Sequence, residues 1–375
     1  MTEVEESLVG RRFDVEVGPV AHGGHFVARH EGRVIFVRHA LPGEQVTVEI
    51  TEDSGRFLRG DAVEVAVPSP HRVSPPCPLA HPGGCGGCDF QHVELDAQRR
   101  LKASVVAEQL SRLARIDREV VVEAVPVSSD EPDRDDGLFW RTRMQYVHLP
   151  GGDKGLRKHR SHEVVLVDRC LIAHPDAREP GGSGEAVVEV VDTTNHGSHS
   201  FTVAGDGFWQ VHPGAPRVLV ETVMAMLAPA RGERALDLYA GVGLFSAFLG
   251  EAVGLTGAVT AVESDQRAAD LAGENLAGLH QVAVVRDRVD RALRRTQRAD
   301  VVVLDPPRAG AKRQVVRAVV DCAPRAVAYV ACDPASLARD LGYFAELGYE
   351  LSEIRAFDLF PMTHHVECVA LVVPG

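Results

Sequence analysis

Short apolar runs alternate with segments of helical periodicity from about residue 206 to the C-terminus, and this alternation constrains the fold most strongly. The predicted strands are 235–243 including a glycine turn, 258–263, 282–286, 301–304, 326–332 and 366–373. A helix at 217–229 is predicted before the first strand, and helices at 265–278, 312–322 and 335–347 are predicted between later strands. Strands and helices that alternate in this way form a parallel sheet with helices on both faces. We therefore expect a doubly wound α/β domain in the C-terminal half of the chain.

A glycine turn follows the first of these strands, in Ala235-Leu-Asp-Leu-Tyr-Ala-Gly-Val-Gly243. Glycines allow the backbone to approach a ligand closely. A dinucleotide fingerprint needs a third glycine near position 246, where this chain has Ser246, and NAD is therefore disfavoured. Glu263 closes the next strand, and a carboxylate there can accept both ribose hydroxyls of an adenosine. The pattern resembles the class I S-adenosylmethionine-dependent methyltransferases, which implies S-adenosyl-L-methionine as the cofactor.

Cys332 and Glu367 are the candidate reactive side chains. Cys332 ends an apolar strand just before a helix, where the helix N-terminus and Arg308 can stabilise a thiolate. Glu367 enters the apolar last strand, which is an unusual place for a surface carboxylate and makes it a candidate general base. The neighbouring strand ends in Asp305-Pro-Pro-Arg308. An arginine after the two prolines, instead of an aromatic residue, disfavours methylation of adenine N6.

The first 68 residues are predicted to form a small OB-like β-barrel. Its strands would be 13–17, 25–28, 34–37, 46–50 and 61–65, mostly separated by glycine-containing turns. Prolines between 68 and 76 mark a linker. We expect residues 69–92 and 125–205 to form a small central β domain, and residues 93–124, which contain a predicted helix, to join residues 206–375 in the α/β domain. Two tracts, near 128–137 and 180–185, are predicted to be disordered.

The chain has seven cysteines, and its N-terminus does not resemble an export signal. Disulfides are therefore not expected, and metal binding or catalysis is considered first. Cys77, Cys85 and Cys88 share a glycine-rich loop, and Cys170 is a candidate fourth ligand. Four cysteines can hold zinc or a [4Fe–4S] cluster, and three clustered thiols with one remote thiol suit the cluster better. The remaining Cys322 and Cys368 are predicted to be packing residues.

The motifs resemble the RNA 5-methyluridine methyltransferase family, in its TRAM-domain, iron–sulfur-containing branch, over nearly the whole chain. The resemblance rests on Ala331-Cys-Asp-Pro-Ala-Ser-Leu-Ala-Arg-Asp340, Phe360-Pro-Met-Thr-His-His-Val-Glu367 and Phe208-Trp-Gln210. It implies that Cys332 is the nucleophile and Glu367 the base. It implies that the cofactor is bound by Gln210, Tyr239, Gly241, Glu263, Asp287 and Asp305, and that a [4Fe–4S] cluster is held by Cys77, Cys85, Cys88 and Cys170.

The implied reaction is methylation of C5 of a uridine in RNA. Because C5 of uracil is a poor nucleophile, a thiolate must first add at C6, and a base must later remove the C5 proton. The branch that the chain resembles leans towards 23S ribosomal RNA, and transfer RNA is an alternative target. Two further alternatives are a non-catalytic RNA-binding iron–sulfur protein and a DNA cytosine-C5 methyltransferase. The DNA enzymes usually place a proline before the nucleophile, where this chain has Ala331.

A formal net charge of −13 does not by itself favour a nucleic-acid partner, but binding depends on local patches. Basic residues cluster at 99–102, 154–160 and 286–298. The 9–67 segment resembles a TRAM domain, which implies RNA binding, and the target uridine must then be flipped out of any duplex. The chain has no apolar run of membrane-spanning length, so no membrane partner is expected. A cytoplasmic monomer is expected.

Overall fold

The computed structural model describes residues 7–127, 136–179, 185–296 and 298–375. The two tracts predicted to be disordered, near 128–137 and 180–185, lie almost wholly outside these residues. Within the described part of the chain, no helix is long and apolar enough to cross a membrane.

The N-terminal sheet has five strands, as predicted: β1 (Arg12–Glu16), β2 (Phe26–His30), β3 (Arg33–Arg38), β4 (Gln45–Asp53) and β5 (Phe57–Val67). Apolar residues at alternate positions of these strands face one core, because successive strand residues point to opposite faces. The order β1-β4-β5-β3-β2 leaves β1 and β2 at the edges. After β1, the Gly18 N–H donates to Val27 O at 2.8 Å and the Val27 N–H donates to Pro19 O at 3.0 Å. The two edges therefore meet, although the ladder does not run continuously around a closed barrel.

One helix packs against both the N-terminal sheet and the large C-terminal sheet. This helix, α1 (Leu95–Gln109), continues into a π-helical turn, Leu110–Ala114. Its Val105 belongs to the core of the N-terminal sheet, whereas Val106 belongs to the core beside the large sheet. Adjacent residues of a helix point in different directions, so α1 buries two faces at once.

Short strands make up most of the central region. They are β6 (Val122–Ala124), β7 (Arg141–Arg143), β8 (Val147–His148), β9 (Lys154–Arg157), β10 (Val164–Leu166), β11 (Ala173–Arg178), β12 (Val187–Asp192) and β13 (Ser198–Val203). Three small sheets result: β9 pairs with β8 and β10, β7 pairs with β11, and β12 pairs with β13. Trp140, Ile172 and Met362 form a small core that Cys88 and Cys170 also contact. This core joins the cysteine-rich loop to the C-terminal motif.

The large sheet follows the alternating pattern of the sequence. Its remaining elements are α2 (Ala215–Leu227), β14 (Arg234–Leu238), α3 (Leu244–Val253), β15 (Ala258–Glu263), α4 (Gln266–Asn275), β16 (Val282–Arg286), α5 (Val289–Ala292) with a 3-10 turn at Leu293–Arg295, β17 (Val301–Leu304), α6 (Lys312–Asp321), β18 (Ala326–Ala331), α7 (Pro334–Glu346), β19 (Tyr349–Asp358) and β20 (Glu367–Pro374). The strand order is β16-β15-β14-β17-β18-β20-β19-β6.

The parallel sheet predicted from the sequence has an antiparallel strand near one edge. Strands β14 to β18 are parallel, but β20 runs antiparallel to both β18 and β19. Because β19 and β20 are consecutive in the chain and adjacent in the sheet, the chain reverses direction between them. The far edge is completed by β6, which pairs with β19 in parallel.

Helices cover both faces of this sheet, which explains why its central strands are apolar throughout. All four residues of β17 are buried. Val302 and Leu304 pack with α6 and α7, whereas Val301 and Val303 pack with α2 and α3. The carboxyl ends of β14 to β18 therefore emerge side by side at one edge, where α/β folds of this type bind their ligands.

Candidate active site

A left-handed turn follows β14. Tyr239, Gly241 and Gly243 have φ angles of 68°, 55° and 97°. A Cβ atom added at Gly241 would have no other atom within 4 Å, whereas one added at Gly243 would lie 2.8 Å from Leu276 Cδ1. Gly243 is therefore needed for close packing against the end of α4. Gly241 instead leaves open space beside the carboxyl end of β14, where a ligand can approach the backbone.

Glu263 is fixed beside this turn by backbone N–H groups. Its Oε2 accepts the Gly241 N–H at 2.9 Å, and its Oε1 accepts the N–H groups of Ser264 and Asp265 at 2.6 and 2.7 Å. A carboxylate has about four acceptor positions, so Oε2 retains capacity for a ribose hydroxyl. Asp287 lies next to it, because the Asp287 N–H donates to Glu263 O at 3.1 Å.

Two carboxyl groups are buried near the ends of β14 and β17. Asp237 Oδ2 accepts the Ser246 hydroxyl at 2.6 Å, while its Oδ1 has no partner. Burial raises the pKa of Asp237 to about 6, and burial together with Asp237 raises the pKa of Asp305 to about 7. A positively charged ligand at this edge would favour ionisation of both groups and be bound more tightly by them.

The structure gives less support for cofactor binding by Gln210 and Tyr239. Gln210 lies half-buried on the loop before α2 and makes no hydrogen bond to another described residue. Tyr239 is half-buried against the core beside the large sheet, and burial, Asp340 and Asp290 raise its pKa to about 12. The cofactor roles of these two residues stay predictions.

The structure brings Cys332 and Glu367 together. Ala331 pairs with Cys368 in the antiparallel β18–β20 ladder, so the next position on each chain, Cys332 and Glu367, continues that register. Asp333 then caps α7, with its carboxylate accepting the Ser336 N–H at 2.7 Å. The thiol and the carboxyl are thus held by two adjacent strands at the same sheet edge as the glycine turn.

Burial and nearby carboxylates raise the pKa of both members of this pair. Burial and Glu367 raise the pKa of the Cys332 thiol to about 12, and Arg308 acts in the opposite direction. Burial and Asp305 raise the pKa of Glu367 well above its ordinary value, again against the effect of Arg308. A carboxyl with a raised pKa is a stronger base once ionised, and Arg308 is the cation that favours the thiolate.

A cavity of about 210 Å³ opens beside Cys332. It is also lined by Val20, His22, Gly23, Gly24, Phe90, Leu101, Lys102, Val105, Arg308, Asp333, Pro334, His364 and His365. His364 Nδ1 lies 2.6 Å from Asp89 Oδ2, and Lys102 Nζ donates to Asp358 Oδ1 at 2.5 Å. The cavity therefore joins the N-terminal domain, α1 and the C-terminal motif.

The four cysteines predicted as ligands line a second cavity, of about 320 Å³. The Gly87 N–H donates to Cys85 Sγ and Gln91 Nε2 donates to Cys88 Sγ, both at 3.4 Å. Such N–H···S hydrogen bonds are typical of sulfur atoms that ligate iron. Among the described residues, no group of three or more His, Cys, Asp or Glu side chains is arranged to hold a metal ion. Cys322 and Cys368 are buried.

Sequence reasoning missed the contacts that tie these sites together. Asp89 directly follows Cys88, yet its partner His364 is 275 residues away. His22 Nε2 lies 2.9 Å from Asp333 Oδ2, a partner 311 residues away. Nothing in the local sequence indicates either pair, because the fold alone brings the segments together.

The strand order, the glycine turn after β14 and the acidic residue that ends β15 define a class I S-adenosylmethionine-dependent methyltransferase. A TRAM domain family model matches residues 6–63, and a tRNA (Uracil-5-)-methyltransferase model matches residues 271–373. An uncharacterized RNA methyltransferase of Streptomyces avermitilis is 44% identical over 98% of this chain and 99% of its own length. Another from Bifidobacterium longum is 36% identical over 96% of each chain. The chain therefore belongs to this family of RNA methyltransferases.

One solved structure shares the fold along nearly the whole chain. The Pyrococcus abyssi tRNA (uracil-54, C5)-methyltransferase, crystallised with S-adenosyl-L-homocysteine, matches with a TM-score of 0.69 and 19% identity. The match covers 96% of this chain and 100% of that one. The predictions of a class I fold, an N-terminal TRAM domain and an S-adenosylmethionine-dependent RNA methyltransferase are confirmed.

Proposed function

We propose that this enzyme methylates C5 of a uridine in RNA through a covalent adduct between Cys332 and C6 of the uracil. The observation that carries the proposal is the β18–β20 register, which sets Cys332 beside Glu367 at the edge that holds the glycine turn. C5 chemistry needs a thiolate and a base around one ring, and these two side chains are held by adjacent strands.

The side chains divide the work between them. The pKa of the Cys332 thiol is raised overall, and Arg308 limits that rise and so favours the thiolate that adds to C6. When bound, S-adenosylmethionine supplies an electrophilic methyl group on a sulfonium. Glu367, in its ionised form, accepts the C5 proton after methyl transfer, and its raised pKa makes that form a strong base. Loss of the proton restores the C5–C6 double bond and releases the thiolate.

The cofactor is proposed to lie over the glycine turn. Gly241 gives it room, the free capacity of Glu263 Oε2 suits a ribose hydroxyl, and Asp305 suits the cationic end of the molecule. Gln210, Tyr239 and Asp287 complete the proposed set. Asp287 is supported by its backbone contact with Glu263.

Two variants test the reaction. Incubation of Cys332→Ala with RNA and methyl-labelled cofactor should form no 5-methyluridine, because no thiolate adds to C6. Glu367→Gln should methylate but release RNA slowly, so a protein–RNA adduct resistant to denaturant should accumulate. Cys322→Ala, which removes another buried thiol, is the matched control and should act like the wild type. Full activity in Cys332→Ala would refute the covalent mechanism and leave an RNA methyltransferase of another chemistry.

Ribosomal RNA of the large subunit, 23S, is the proposed substrate, on the strength of the family branch that the sequence resembles. Transfer RNA is the second candidate, because the matching family model and the Pyrococcus abyssi neighbour both carry transfer RNA names. Deletion of the gene should remove one 5-methyluridine from 23S ribosomal RNA. Its loss from transfer RNA instead would establish the second candidate.

We further propose that Cys77, Cys85, Cys88 and Cys170 hold a [4Fe–4S] cluster. All four line one cavity, and two of their sulfur atoms already accept N–H groups. Bound there, the cluster would cross-link the 77–88 loop to the central sheets; methyl transfer itself needs no electron transfer. Anaerobically purified protein should contain about four iron and four sulfide per chain, and Cys170→Ser should lose them. Stoichiometric zinc without sulfide would establish the alternative.

The domain division predicted from the sequence is also retained as a proposal: 1–68, then 69–92 with 125–205, then 93–124 with 206–375. The pairing of β6 with β19 supports the assignment of residues 93–124 to the methyltransferase domain. Limited proteolysis should cut first near residues 68 and 125, and cuts within α1 would contradict the division.

A further inference from the structure

The loop between β1 and β2 extends to the edge of the large sheet where Cys332 lies. Val20, His22, Gly23 and Gly24, here called the 20–24 loop, line the cavity of about 210 Å³ that contains Cys332. This loop belongs to the segment matched by the TRAM domain model. One wall of the cavity at the nucleophile is thus supplied by the N-terminal domain.

The first contact of the 20–24 loop is made by His22. Its Nε2 lies 2.9 Å from Asp333 Oδ2, and both side chains are partly exposed, by 41% and 25%. Asp333 directly follows Cys332 and caps α7 by accepting the Ser336 N–H at 2.7 Å. A hydrogen bond to Asp333 therefore restrains the short segment from which the Cys332 thiol projects.

The second contact is made by the backbone of Gly24. This residue has a φ angle of 77°, and a Cβ atom added to it would lie 2.5 Å from His364 Cβ. His364 is itself held by Asp89, at 2.6 Å. No side chain fits between Gly24 and His364. The 20–24 loop therefore packs directly against the segment that precedes Glu367.

The cavity between these contacts suits one pyrimidine ring. Its volume is below the roughly 300–1,000 Å³ of pockets for drug-sized ligands. Phe90 and Val20 give it apolar walls, while Arg308 and His365 give it polar groups. Enzymes that act on a flipped base hold it between apolar faces and recognise its edge by hydrogen bonds.

We propose that the 20–24 loop is a wall of the uracil pocket, and that His22 is a positioning residue that holds this wall against the nucleophile segment through Asp333. This inference rests on the proposed function. Because the wall belongs to the TRAM domain, the pocket is complete only with that domain seated on the methyltransferase domain. Binding of RNA and orientation of the target base are thereby linked.

Three variants of the full chain test the role of His22. His22→Ala should lower kcat for methyl transfer by about tenfold, the value of one hydrogen bond to a charged group. KM for RNA should change less than about twofold, because phosphate contacts elsewhere dominate affinity. His22→Gln, whose amide can donate to Asp333, should recover most of kcat. His30→Ala, in the same domain and stacked on Phe13, is the control and should match the wild type. A raised KM with normal kcat would overturn the inference.

Adjacent glycines provide a second test that does not depend on His22. Gly23 and Gly24 both have positive φ, so alanine strains the backbone at either position. A Cβ atom at Gly23 would meet its nearest atom, His25 Nδ1, at 3.8 Å, whereas at Gly24 it collides with His364. Gly24→Ala should therefore lower kcat much more than Gly23→Ala, with both variants equally folded by circular dichroism. Equal kcat values would overturn the inference.

Adduct formation separates this inference from the proposed function. In the Glu367→Gln background, addition of His22→Ala should slow covalent capture of RNA by about tenfold, while addition of Cys332→Ala should abolish it. If Cys332→Ala still captures RNA, the proposed function fails. If only the His22 variant captures RNA at the unchanged rate, the proposed function stands and the positioning role of His22 is wrong.

Discussion

At the scale of single residues, the reactive edge concentrates acidic groups around one thiol. Burial raises the pKa of Cys332 most, and Glu367, Asp305 and Asp333 raise it further. Arg308 opposes these effects and lies 3.4 Å from His365 Nε2. The fraction of Cys332 that is ionised at neutral pH therefore depends on the Arg308 guanidinium and on the charges of the bound substrate and cofactor.

Arg308→Gln should shift the pH dependence of adduct formation upward. Removal of the cation raises the pKa of Cys332 further, so the thiolate forms only at higher pH and the ascending limb of the rate moves to alkaline values. A shift of one pKa unit would reduce the rate at neutral pH by about tenfold. Arg317→Gln, on the exposed side of α6, should leave the profile unchanged. An unshifted profile in Arg308→Gln would show that the thiolate is stabilised by other groups.

Residue chemistry could be predicted from the sequence only where a motif is local. Cys332 directly follows one apolar strand and Glu367 begins another, and their motifs are contiguous. The partners His22 and Asp89 carry no such signal, because one is a loop histidine and the other a lone aspartate beside a cysteine. Their importance arises from contacts between segments more than 270 residues apart, at 311 and 275 positions.

At the scale of elements, the turn after β14 contains one glycine that packs against α4, Gly243, and one that borders open space, Gly241. Gly241→Ala should weaken cofactor binding while leaving the fold intact, because its Cβ atom meets no protein atom and occupies the space proposed for the ligand. Isothermal titration with S-adenosyl-L-homocysteine measures this, with an expected loss of about tenfold or more. Gly232→Ala, another positive-φ position with its nearest neighbour at 3.7 Å, is the control for backbone strain. Equal affinity in both variants would place the cofactor elsewhere.

A fully buried ion pair, Lys102–Asp358, links helix α1 to β19. Lys102 Nζ donates to Asp358 Oδ1 at 2.5 Å and to Phe360 O at 3.0 Å. Lys102→Met leaves Asp358 buried without a cation and should lower the free energy of unfolding by about 3–5 kcal/mol, measured in urea. The double variant Lys102→Met with Asp358→Leu should recover much of that loss. A double variant less stable than Lys102→Met would contradict this account.

Element boundaries were predictable where apolar runs are bounded by turns. The observed β15, β16 and β17 coincide with the predicted 258–263, 282–286 and 301–304. Strand β19 was missed because the sequence from Tyr349 to Asp358 mixes acidic residues with apolar ones, and its outward positions face solvent. The antiparallel direction of β20 and the recruitment of β6 depend on strand pairing, which local periodicity does not encode.

At the scale of the whole molecule, a net charge of −13 coexists with an RNA substrate. The basic run on and after β9 includes Lys154, Arg157, Lys158 and Arg160, and the last three also line the cysteine cavity. Replacement of Lys154, Arg157 and Arg160 by Gln should weaken RNA binding and reduce the slope of log K against log salt by about 2, since each phosphate contact contributes about 0.7 for single strands. The same change at Lys312, Arg313 and Arg317, outside the predicted basic clusters, should leave the slope unchanged. Equal slopes in both variants would show that the basic run does not contact RNA phosphates.

The parallel pairing of β6 with β19 has a consequence for synthesis on the ribosome. Glu123 on β6 and Arg355, which precedes the paired part of β19, form an ion pair at 2.7 Å although they are 232 residues apart. At roughly 5–20 residues per second, the chain near β6 emerges some 10–50 s before its partner exists. The strands of the TRAM domain can pair during this interval, but β6 has no partner strand until β19 is made. Nascent chains of this enzyme therefore pass through a long stage in which a folded N-terminal domain precedes an incomplete sheet, and this is the stage at which chaperones would have a strand edge to bind.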